Sequence, residues 1–578
     1  MDSQDSYWLL IDGYEDEPAA FGVPPYIGFH CRYIAGVFEK KNIPYKYITI
    51  DQWRIEKNYD FKDLAGIVIL AGAVVPGKYL RGTPISLKET QKIIGKTPIS
   101  TPILCGGWAI RGWKQNGWRP LRKNLFLAHW DTDASLNNYI ETSNWKHVRR
   151  TAEQWDEWAR LGASSKAVLE HPDLRGPLTY EVEVYQGCVR FKNGCKFCLE
   201  PKKGVPLWRT PESIISEVKS ALDSGVKNIR LGGMTDVYTY LAEGVEELEY
   251  PIPNPKPLEK LLYGLREDER LEILHVDNGN PSIIAENIEP STEITKILVD
   301  TLSDGAILSF GLESVDPNVH ILNWLNCDSK QAKTAIRLIN KYGKERGERG
   351  LPKLLPGLNF IAGLRGEDSK TTYELNLKFL TELKKEGLWL RRINIRQVEG
   401  KGFQEIPMKE FNDFKSKVRN DFDGPLLEEM FPIGNVLKDV WWESHDNRTR
   451  LPSHLSDTHL SEKIHGNAGI TFGRQIGAYP ILIGTEYHIP LETQSDIIIT
   501  GHGKRSITGI ETNLDINTVS QHQLSAIPGI GDKTAWKIIS AKAKKLSKNR
   551  DLPAFKNLED AFSEINMQIP ELASQILN

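Results

Sequence analysis

The chain has 578 residues, of which 40% are hydrophobic and 26% are charged, and its formal net charge is −3. This length exceeds a single hydrophobic core and predicts about three or four domains. The near-neutral charge excludes a globally basic nucleic-acid-binding protein, so any such surface must be local. Six cysteines are too few for a disulfide framework in a chain of this length, and half of them fall within one short segment.

The sequence has no secretory or membrane signal. Its first residues lack the charged and apolar regions of a signal peptide. The longest apolar stretch, Gly66 to Gly77, is too short to span a bilayer. We therefore expect a cytoplasmic protein with reduced thiols and no membrane partner.

Short apolar runs alternate with helical patterns over residues 1–145. Buried strands are predicted at Tyr7–Asp12, Tyr45–Ile50, Gly66–Ala71 and Pro102–Cys105. This alternation predicts an α/β fold with an N-terminal Rossmann-like, doubly wound domain, although no G-x-G-x-x-G fingerprint is present. Residues 146–177 predict a helical connector.

Residues 178–400 show a more regular alternation of strands and helices. The predicted strands are Tyr180–Tyr185, Asn228–Leu231, Glu272–Val276, Ile307–Phe310, Gly357–Ile361 and Arg392–Ile395. Six consecutive βα units favour a parallel sheet curved into a partial (βα)6 barrel, with its chemistry at the C-terminal ends of the strands. Beyond it we expect an irregular connector (401–464), a small β module (465–512) and a helix-hairpin-helix (513–578).

A cysteine loop follows the first strand of the predicted barrel. Cys188, Cys195 and Cys198 have C-x6-C-x2-C spacing, which predicts a metal or iron–sulfur site. Iron–sulfur DNA glycosylases share this spacing and add a fourth cysteine six positions later, where this chain has Gly204. A cubane held by three thiolates has one iron free for another ligand, which indicates a reactive cluster. A structural zinc site is the alternative and would need a fourth ligand, the nearest histidine being His171.

Short motifs at successive strand ends resemble the radical S-adenosylmethionine superfamily, whose usual motif is C-x3-C-x2-C. Besides the cysteines, they are Gly232-Gly233-Met234, where the superfamily often has Gly-Gly-Glu, then Gly311-Leu312-Glu313-Ser314, and finally Gly363-Leu364-Arg365-Gly366-Glu367, similar to a segment of methylthiotransferase-like and cobalamin-binding-type members. The chain departs from the pattern in its longer first cysteine gap. It also departs at Met234, which cannot make an ionic contact with the methionyl amine.

The resemblance implies the cofactors and the reaction. It implies a 4Fe-4S cluster on Cys188, Cys195 and Cys198, with the open iron chelated by S-adenosylmethionine. One electron from the cluster then cleaves the cofactor to a 5′-deoxyadenosyl radical. The implied partners include an electron donor such as ferredoxin or flavodoxin. The expected cofactor-binding residues are Phe197, Gly232, Gly233, Asp277, Glu313 and Ser314.

Polar residues at two further strand ends have both a functional and a structural interpretation. Asp277 either binds a ligand or makes a turn before Pro281. Arg392, Asn394 and Arg396 either contact substrate or, for the arginines, form surface ion pairs.

The N-terminal domain resembles those of methylthiotransferases and cobalamin-binding members in position and pattern only. Residues 1–145 contain two cysteines, Cys31 and Cys105, where methylthiotransferases have three, and they contain no D-x-H-x-x-G motif. A full second cluster is therefore not supported. We expect Cys31, Cys105 and Cys327 to be buried as small apolar residues.

Residues 516–539 resemble a helix-hairpin-helix motif. Leu524 and Ile527 end the first helix, and a Gly-Ile-Gly turn follows. Such glycines let backbone N–H groups face a phosphate, and lysines follow directly. We predict that Gly529, Gly531 and Lys533 bind nucleic acid; a helical packing or protein-interaction module is the alternative.

Together these parts resemble a family of radical S-adenosylmethionine enzymes with a C-terminal helix-hairpin-helix, known mainly from archaea. The likeness extends to residues 11–19 and 22–28. We expect an enzyme that modifies RNA, with tRNA as the first candidate. One alternative is a radical enzyme acting on a protein or small molecule, with the hairpin as a docking module. The other is a non-catalytic iron–sulfur protein that binds nucleic acid.

Overall fold

The computed structural model describes residues 6–15, 26–56, 61, 63–72, 82–120, 122–398, 400, 402–446, 464–548 and 553–578. The likeness over residues 16–19 and 22–25 lies outside these ranges. No helix within them is long and apolar enough to cross a membrane.

The N-terminal part is a five-stranded parallel sheet of order β3-β1-β4-β5-β6. Its elements are β1 (Tyr7–Asp12), β2 (Tyr26–Ile27), α1 (Phe29–Lys40), β3 (Tyr45–Thr49), α2 (Ile50–Ile55), β4 (Leu64–Leu70), α3 (Leu87–Lys96), β5 (Ile103–Gly106), α4 (Trp108–Gln115), β6 (Leu125–Leu127) and α5 (Thr132–Thr142). The four predicted strands are present within one or two residues of their expected ends.

Successive side chains of this sheet enter two different cores. Leu9, Ile67 and Ile103 pack with residues of α2, α3 and α4 on one face. Leu10 and Val68, one position along, pack with α1 and α5 on the other. Because both faces are covered by helices, the strands are apolar throughout and the domain is doubly wound.

Two helices, α6 (Ala152–Ala163) and α7 (Lys166–Leu169), form the predicted helical connector. The barrel strands follow: β7 (Thr179–Glu183), β8 (Tyr185–Gln186), β9 (Leu207–Trp208), β10 (Asn228–Gly232), β11 (Ile273–Val276), β12 (Asn278–Gly279), β13 (Ala306–Glu313), β14 (Leu354–Ala362) and β15 (Arg392–Gln397). Between them lie α8 (Pro211–Asp223), α9 (Pro255–Arg266), α10 (Pro281–Glu286), α11 (Ile288–Thr301), α12 (Pro317–Asn323), α13 (Ser329–Gly343) and α14 (Ser369–Lys385).

The six predicted strands are parallel but divide into two sheets. The orders are β11-β10-β7-β2 and β12-β13-β14-β15, and they meet where β11 continues into β12. The backbone N–H of Ser309 donates to the carbonyl oxygen of Asp277 (2.6 Å) across this junction. Strand β2, contributed by the N-terminal part, pairs with β7 and extends the sheet beyond the expected six strands.

Several helices begin with reciprocal side-chain caps. Thr49, Ser86, Thr151, Asp328 and Ser520 each accept the backbone N–H three residues on, and the Gln or Glu there returns a hydrogen bond to the cap residue. These capping boxes satisfy N–H groups that a helix start leaves unpaired and fix where the helices begin.

The prediction of an irregular connector over residues 401–464 is wrong for its described part. It contains α15 (Met408–Val418), a π-helical turn (Arg419–Asp423), α16 (Gly424–Met430) and β16 (Val436–His445). A β-bulge interrupts the two-residue alternation of β16. Its pairing with residues 494–498 shifts register around Asp439, which has φ 56°.

The β module is a closed barrel of order β16-β17-β18-β20-β19. Its further strands are β17 (Ala468–Gln475), β18 (Leu482–Tyr487), β19 (Gln494–His502) and β20 (Ser506–Glu511), with β18 parallel to β20. The chain ends in α17 (Gln521–Ala526), α18 (Asp532–Lys548), α19 (Leu558–Glu564) and α20 (Ala573–Ile576). The module was predicted to begin at residue 465, but its first strand is β16, which begins at Val436.

Candidate cluster and cofactor site

The cysteine loop is closed at its base by a short antiparallel pairing of β8 with β9. Gly187 and Gly204, inside this pairing, have left-handed φ values of 93° and 99°. A Cβ on Gly187 would lie 2.9 Å from the carbonyl oxygen of Gly204. Gly204 holds the position of the absent fourth cysteine, and an L-residue there would be strained. The backbone itself therefore favours three thiols in this loop.

The three thiols are half-buried and share one electrostatic environment. The backbone N–H of Arg190 donates to Sγ of Cys188 (3.4 Å), and its guanidinium donates to Sγ of Cys195 (3.2 Å). Burial raises the pKa of Cys188 to about 11 and that of Cys198 to about 12, and Cys195 adds to both shifts. The metal-free thiols are therefore protonated, and metal binding would release their protons.

The chemistry of the three thiols suits an iron–sulfur cluster. Among the residues that the structure describes, no group of three His, Cys, Asp or Glu side chains is arranged to hold one metal ion. In a cubane each thiolate binds a different iron, so the sulfurs surround the cluster instead of converging on one point. Three soft thiolates around a shared space suit that arrangement.

A fourth cysteine lies close to this site. Cys327 is buried, and its Sγ is 3.7 Å from the carbonyl oxygen of Gly311. Burial, then the charges of Glu313 and Cys195, raise the pKa of Cys327. Burial was expected for Cys327, but proximity to Cys195 was not, because the two are remote in sequence. Cys31 and Cys105 are buried as expected.

Glu313 is the predicted cofactor residue with the most unusual environment. It has φ 66° at a point where the β13–β14 pairing shifts register. Its side chain is buried, and Oε2 has no hydrogen-bond partner within the described residues. Burial raises the pKa of Glu313 to about 8, against the opposing charge of Arg396. A carboxyl group that holds a proton near neutral pH therefore lies near the thiols, since its ionisation would also raise the pKa of Cys195.

The two glycines after β10 are packed against carboxylates. A Cβ on Gly233, which has φ 62°, would lie 2.7 Å from Cγ of Glu183. A Cβ on Gly232 would overlap the Glu181 carboxylate. The space beside the two glycines is therefore taken up by Glu181 and Arg230 at Gly232 and by Glu183 at Gly233. Met234 is buried, and its carbonyl oxygen accepts a hydrogen bond from Asn278 (3.0 Å).

Phe197 and Ser314 lie near the ends of the second sheet. Phe197 packs against the buried cluster of Val319, Leu325 and Leu364. Ser314 is buried, and its hydroxyl accepts the backbone N–H of Asp316 (3.2 Å). These contacts give the cysteine loop a dry apolar side.

Asp277 belongs to a buried polar network inside the barrel. It is ion-paired with Arg230, and it accepts hydrogen bonds from Ser309 (3.1 Å) and Tyr479 (2.7 Å). Arg230 also pairs with Glu181. These contacts support a structural role for Asp277, whereas its role in binding a ligand stays a prediction.

Tyr479 belongs to the β17–β18 loop (residues 476–481), which enters the central barrel. The backbone N–H of Ala478 donates to Nδ1 of His275 (2.9 Å), whose Nε2 lies 3.0 Å from the carbonyl oxygen of Ser303. Burial lowers the pKa of His275 to about 3, so its ring is neutral. Sequence reasoning missed this contribution because the loop lies some 200 residues from β11.

A cavity of about 480 Å³ adjoins the cysteine loop on the side of α10 and α12. Its polar lining includes Arg190, Asn193, Asn280, Ser282, His320 and Asn326. These residues come from three separate segments of the chain, so no local sequence motif predicts the cavity.

Helices α17 and α18 are joined by a glycine turn. Gly529 has φ 90°, and a Cβ there would lie 2.9 Å from Pro570. Ala535 and Ile538 of α18 are buried, while Lys533 is exposed and Trp536 is 61% exposed. The helix-hairpin-helix assignment and nucleic-acid binding by Gly529, Gly531 and Lys533 stay predictions.

Two archaeal proteins are similar to nearly the whole chain. An uncharacterized protein of Methanocaldococcus jannaschii is 35% identical over 526 residues, which cover 87% of this chain and 92% of that protein. An uncharacterized protein of Archaeoglobus fulgidus is 35% identical over 548 residues, 90% of this chain and 93% of that protein. The chain belongs to the same family as these proteins. No general protein-family profile matches it.

The similar solved structures are more distant. The radical S-adenosylmethionine methyltransferase TsrM from Kitasatospora setae, with cobalamin and a [4Fe-4S] cluster bound, is 13% identical with a TM-score of 0.45 and covers 68% of this chain and 72% of its own. Coproporphyrinogen III oxidase from Escherichia coli, a radical SAM enzyme, is 12% identical with a TM-score of 0.28 and covers 54% of this chain and 70% of its own. These similarities are too low to carry a functional assignment by themselves.

Proposed function

We propose that this archaeal-type family member is a radical S-adenosylmethionine enzyme that modifies RNA, with tRNA as the first candidate. The observation that carries the proposal is the cysteine loop: three thiols in one environment, at the C-terminal end of a barrel strand, with a glycine of left-handed φ where a fourth would stand. When bound, a 4Fe-4S cluster on these thiolates supplies the electron that cleaves S-adenosylmethionine to a 5′-deoxyadenosyl radical.

The protein's own residues would prepare the site in three ways. Cys188, Cys195 and Cys198 lose their protons when they bind iron, and the Arg190 guanidinium beside Cys195 offsets the added negative charge. Glu313 holds a proton near neutral pH and would release it when a cationic ammonium or sulfonium group approaches. The apolar packing around Phe197 excludes water from this side of the loop.

Cofactor cleavage is tested by anaerobic reconstitution with iron, sulfide, S-adenosylmethionine and dithionite. We expect 5′-deoxyadenosine from the wild type and none from Cys198→Ala. Equal amounts from both proteins would reject the enzyme proposal. Mass spectrometry of tRNA nucleosides from a deletion strain then tests the substrate, because one modified nucleoside should disappear.

Two features support RNA as the substrate. The C-terminal turn presents Lys533 and the exposed Trp536 on one helix, a combination suited to a phosphate and a stacked base. The closed barrel of β16–β20 has the strand order of oligonucleotide/oligosaccharide-binding folds, an analogy that raises RNA above other substrates without assigning it.

The alternatives predict different results. A protein or small-molecule substrate, with the hairpin as a docking module, predicts an unchanged nucleoside profile and RNA binding that is weak at every salt concentration. A non-catalytic iron–sulfur protein predicts no 5′-deoxyadenosine, yet RNA binding that weakens with salt.

The electron donor is proposed to be a small carrier protein such as ferredoxin or flavodoxin, docking at the end of α12. Ile321, Leu322 and Trp324 are 69%, 41% and 48% exposed there. The backbone N–H of Lys196, the residue after Cys195, donates to the carbonyl oxygen of Asn323 (3.0 Å). Trp324→Ala should slow cluster reduction by flavodoxin but not by dithionite; equal rates with flavodoxin would reject this docking surface.

A further inference from the structure

Four arginines gather at the open edge of the second barrel sheet. Arg391 directly precedes β15 and Arg392 begins it, Arg419 begins the π-helical turn after α15, and Arg505 lies in the turn between β19 and β20. Asp423 is ion-paired with Arg419 and is the one carboxylate that contributes to the pKa shifts of Arg391 and Arg505. We call the four residues the arginine cluster.

Protein contacts hold most of these guanidinium groups in place. Arg419 donates to the carbonyl oxygen of Ile393 (2.8 Å), and Arg391 donates to that of Tyr479 (3.2 Å). The Arg392 guanidinium carbon lies 4.9 Å from the centre of the Tyr479 ring. Positions fixed in this way lower the entropy cost of binding a ligand.

The positive charge of the cluster is not balanced. Burial and then the charge of Arg392 lower the pKa of Arg391 to about 10. Partial burial, then Arg419 and Arg392, lower the pKa of Arg505. Within the described residues, the buried Nε of Arg392 has no hydrogen-bond acceptor. Like charges in a half-buried place with a spare donor are stabilised by an anion.

The cluster adjoins the β17–β18 loop at the start of β15. The Tyr26 hydroxyl donates to the carbonyl oxygen of Ala478 (3.1 Å), so the β17–β18 loop links β2 to the region of β15. Along β15, Arg392, Asn394 and Arg396 alternate onto one face, and the charge of Arg396 reaches Glu313. Arg392 and Arg396 are about 13 Å apart along the strand.

We propose that the arginine cluster binds a phosphate group of the substrate and so directs a nucleotide along β15 toward the cysteine loop. Planar guanidinium forks match phosphate oxygens in pairs and suit them better than a single charge would. The inference rests on the proposed RNA substrate and identifies the part of the substrate recognised at this edge: a phosphate, of a free nucleotide or of a polynucleotide.

Binding measurements without S-adenosylmethionine or reductant test this site separately from the radical chemistry. The probes are a fluorescent single-stranded RNA, adenosine monophosphate and inorganic phosphate, each titrated against the reconstituted full-length protein. The variants are Arg505→Gln and Arg392→Gln. Arg270→Gln removes an exposed charge elsewhere, paired with Asp268 and Asp223, and is the matched control.

We expect each cluster variant to bind RNA at least tenfold more weakly than wild type, and Arg270→Gln to change the affinity less than twofold. Phosphate and the mononucleotide should compete with RNA; competition by RNA alone would identify a polynucleotide site. Removing one of several like charges should keep or raise the melting temperature of Arg505→Gln, so that lost binding is not lost folding.

Wild-type affinity in both cluster variants would overturn the proposal. The two proposals fail in distinguishable ways. If no 5′-deoxyadenosine forms but phosphate-sensitive binding persists, the radical proposal fails and the phosphate site stands. If 5′-deoxyadenosine forms but the cluster variants bind RNA as wild type does, only the phosphate site is rejected.

Discussion

Single buried carboxyl groups set the pH dependence of this protein. Burial raises the pKa of Asp236 to about 7, although backbone N–H groups of Tyr238 (3.0 Å) and Asn280 (2.9 Å) donate to it. An aspartate in an unfolded chain has a pKa of about 3.9. Between these values the folded protein keeps a proton that the unfolded chain has lost. Folding stability therefore falls as the pH rises through this window and levels off above it.

Asp236→Asn should remove this dependence, because asparagine keeps an acceptor for both N–H groups and does not titrate. At pH 8 we expect the variant's free energy of unfolding to exceed that of wild type by roughly 3 to 4 kcal/mol, and at pH 4 we expect the two to agree. Urea unfolding of the cluster-free protein measures both, with the exposed Asp413→Asn as control. A difference independent of pH would contradict the assignment.

For single residues, the sequence predicts the three thiols but not their surroundings. The spacing of Cys188, Cys195 and Cys198 is local and readable, as is the missing cysteine at Gly204. The proximity of Cys327 and the environment of Glu313 depend on how strands pair, so a single sequence does not reveal them. For Asp277, the motif could not show that Tyr479 is its partner.

Among the elements, the β17–β18 loop helps to join the β barrel to the central barrel. The Tyr479 hydroxyl donates to Asp277 (2.7 Å) in a buried network that includes Arg230. Tyr479→Phe removes this bond to a charged group and should lower the free energy of unfolding by about 2 kcal/mol.

The control for this substitution is Tyr342→Phe, whose ring lies beside the Lys341 amine (5.1 Å). Urea unfolding of both variants and wild type gives the comparison. If Tyr479→Phe lowers the free energy of unfolding by no more than Tyr342→Phe does, the Tyr479 hydroxyl does not anchor the loop.

Elements with strong periodicity were predicted well, and interrupted ones were not. The barrel strands β10, β13, β14 and β15 lie where their apolar runs and turn signals indicate. Strand β16 was missed because its bulge breaks the two-residue alternation. Strand β2 was missed because two residues carry no periodicity, and only its pairing with β7 makes it a strand.

For the whole molecule, a buried ionic network joins the N-terminal part to the barrel. Arg32 of α1 is ion-paired with Glu217 of α8 (2.6 Å), and it also hydrogen-bonds Tyr180 of β7. Arg209 binds the other carboxylate oxygen of Glu217. No sequence motif predicts such a pair, because its members lie in separate domains.

Arg32→Met should lower the free energy of unfolding by about 4 kcal/mol, because it removes one of the two cations, Arg32 and Arg209, that pair with the buried Glu217 carboxylate. Arg337→Met, which removes an exposed pair with Glu386, should change it by less than about 1 kcal/mol. Guanidinium unfolding measures both. Separate unfolding of the N-terminal part, with no effect on the barrel, would contradict the coupling.

Electron paramagnetic resonance of the dithionite-reduced, reconstituted protein, recorded with and without S-adenosylmethionine, tests most directly whether three thiolates leave one iron open. The signal should change on adding the cofactor in wild type and in Cys327→Ala, and it should be absent in Cys198→Ala. A signal that S-adenosylmethionine does not change, or loss of the cluster in Cys327→Ala, would mean that the protein already supplies the fourth ligand of the cluster.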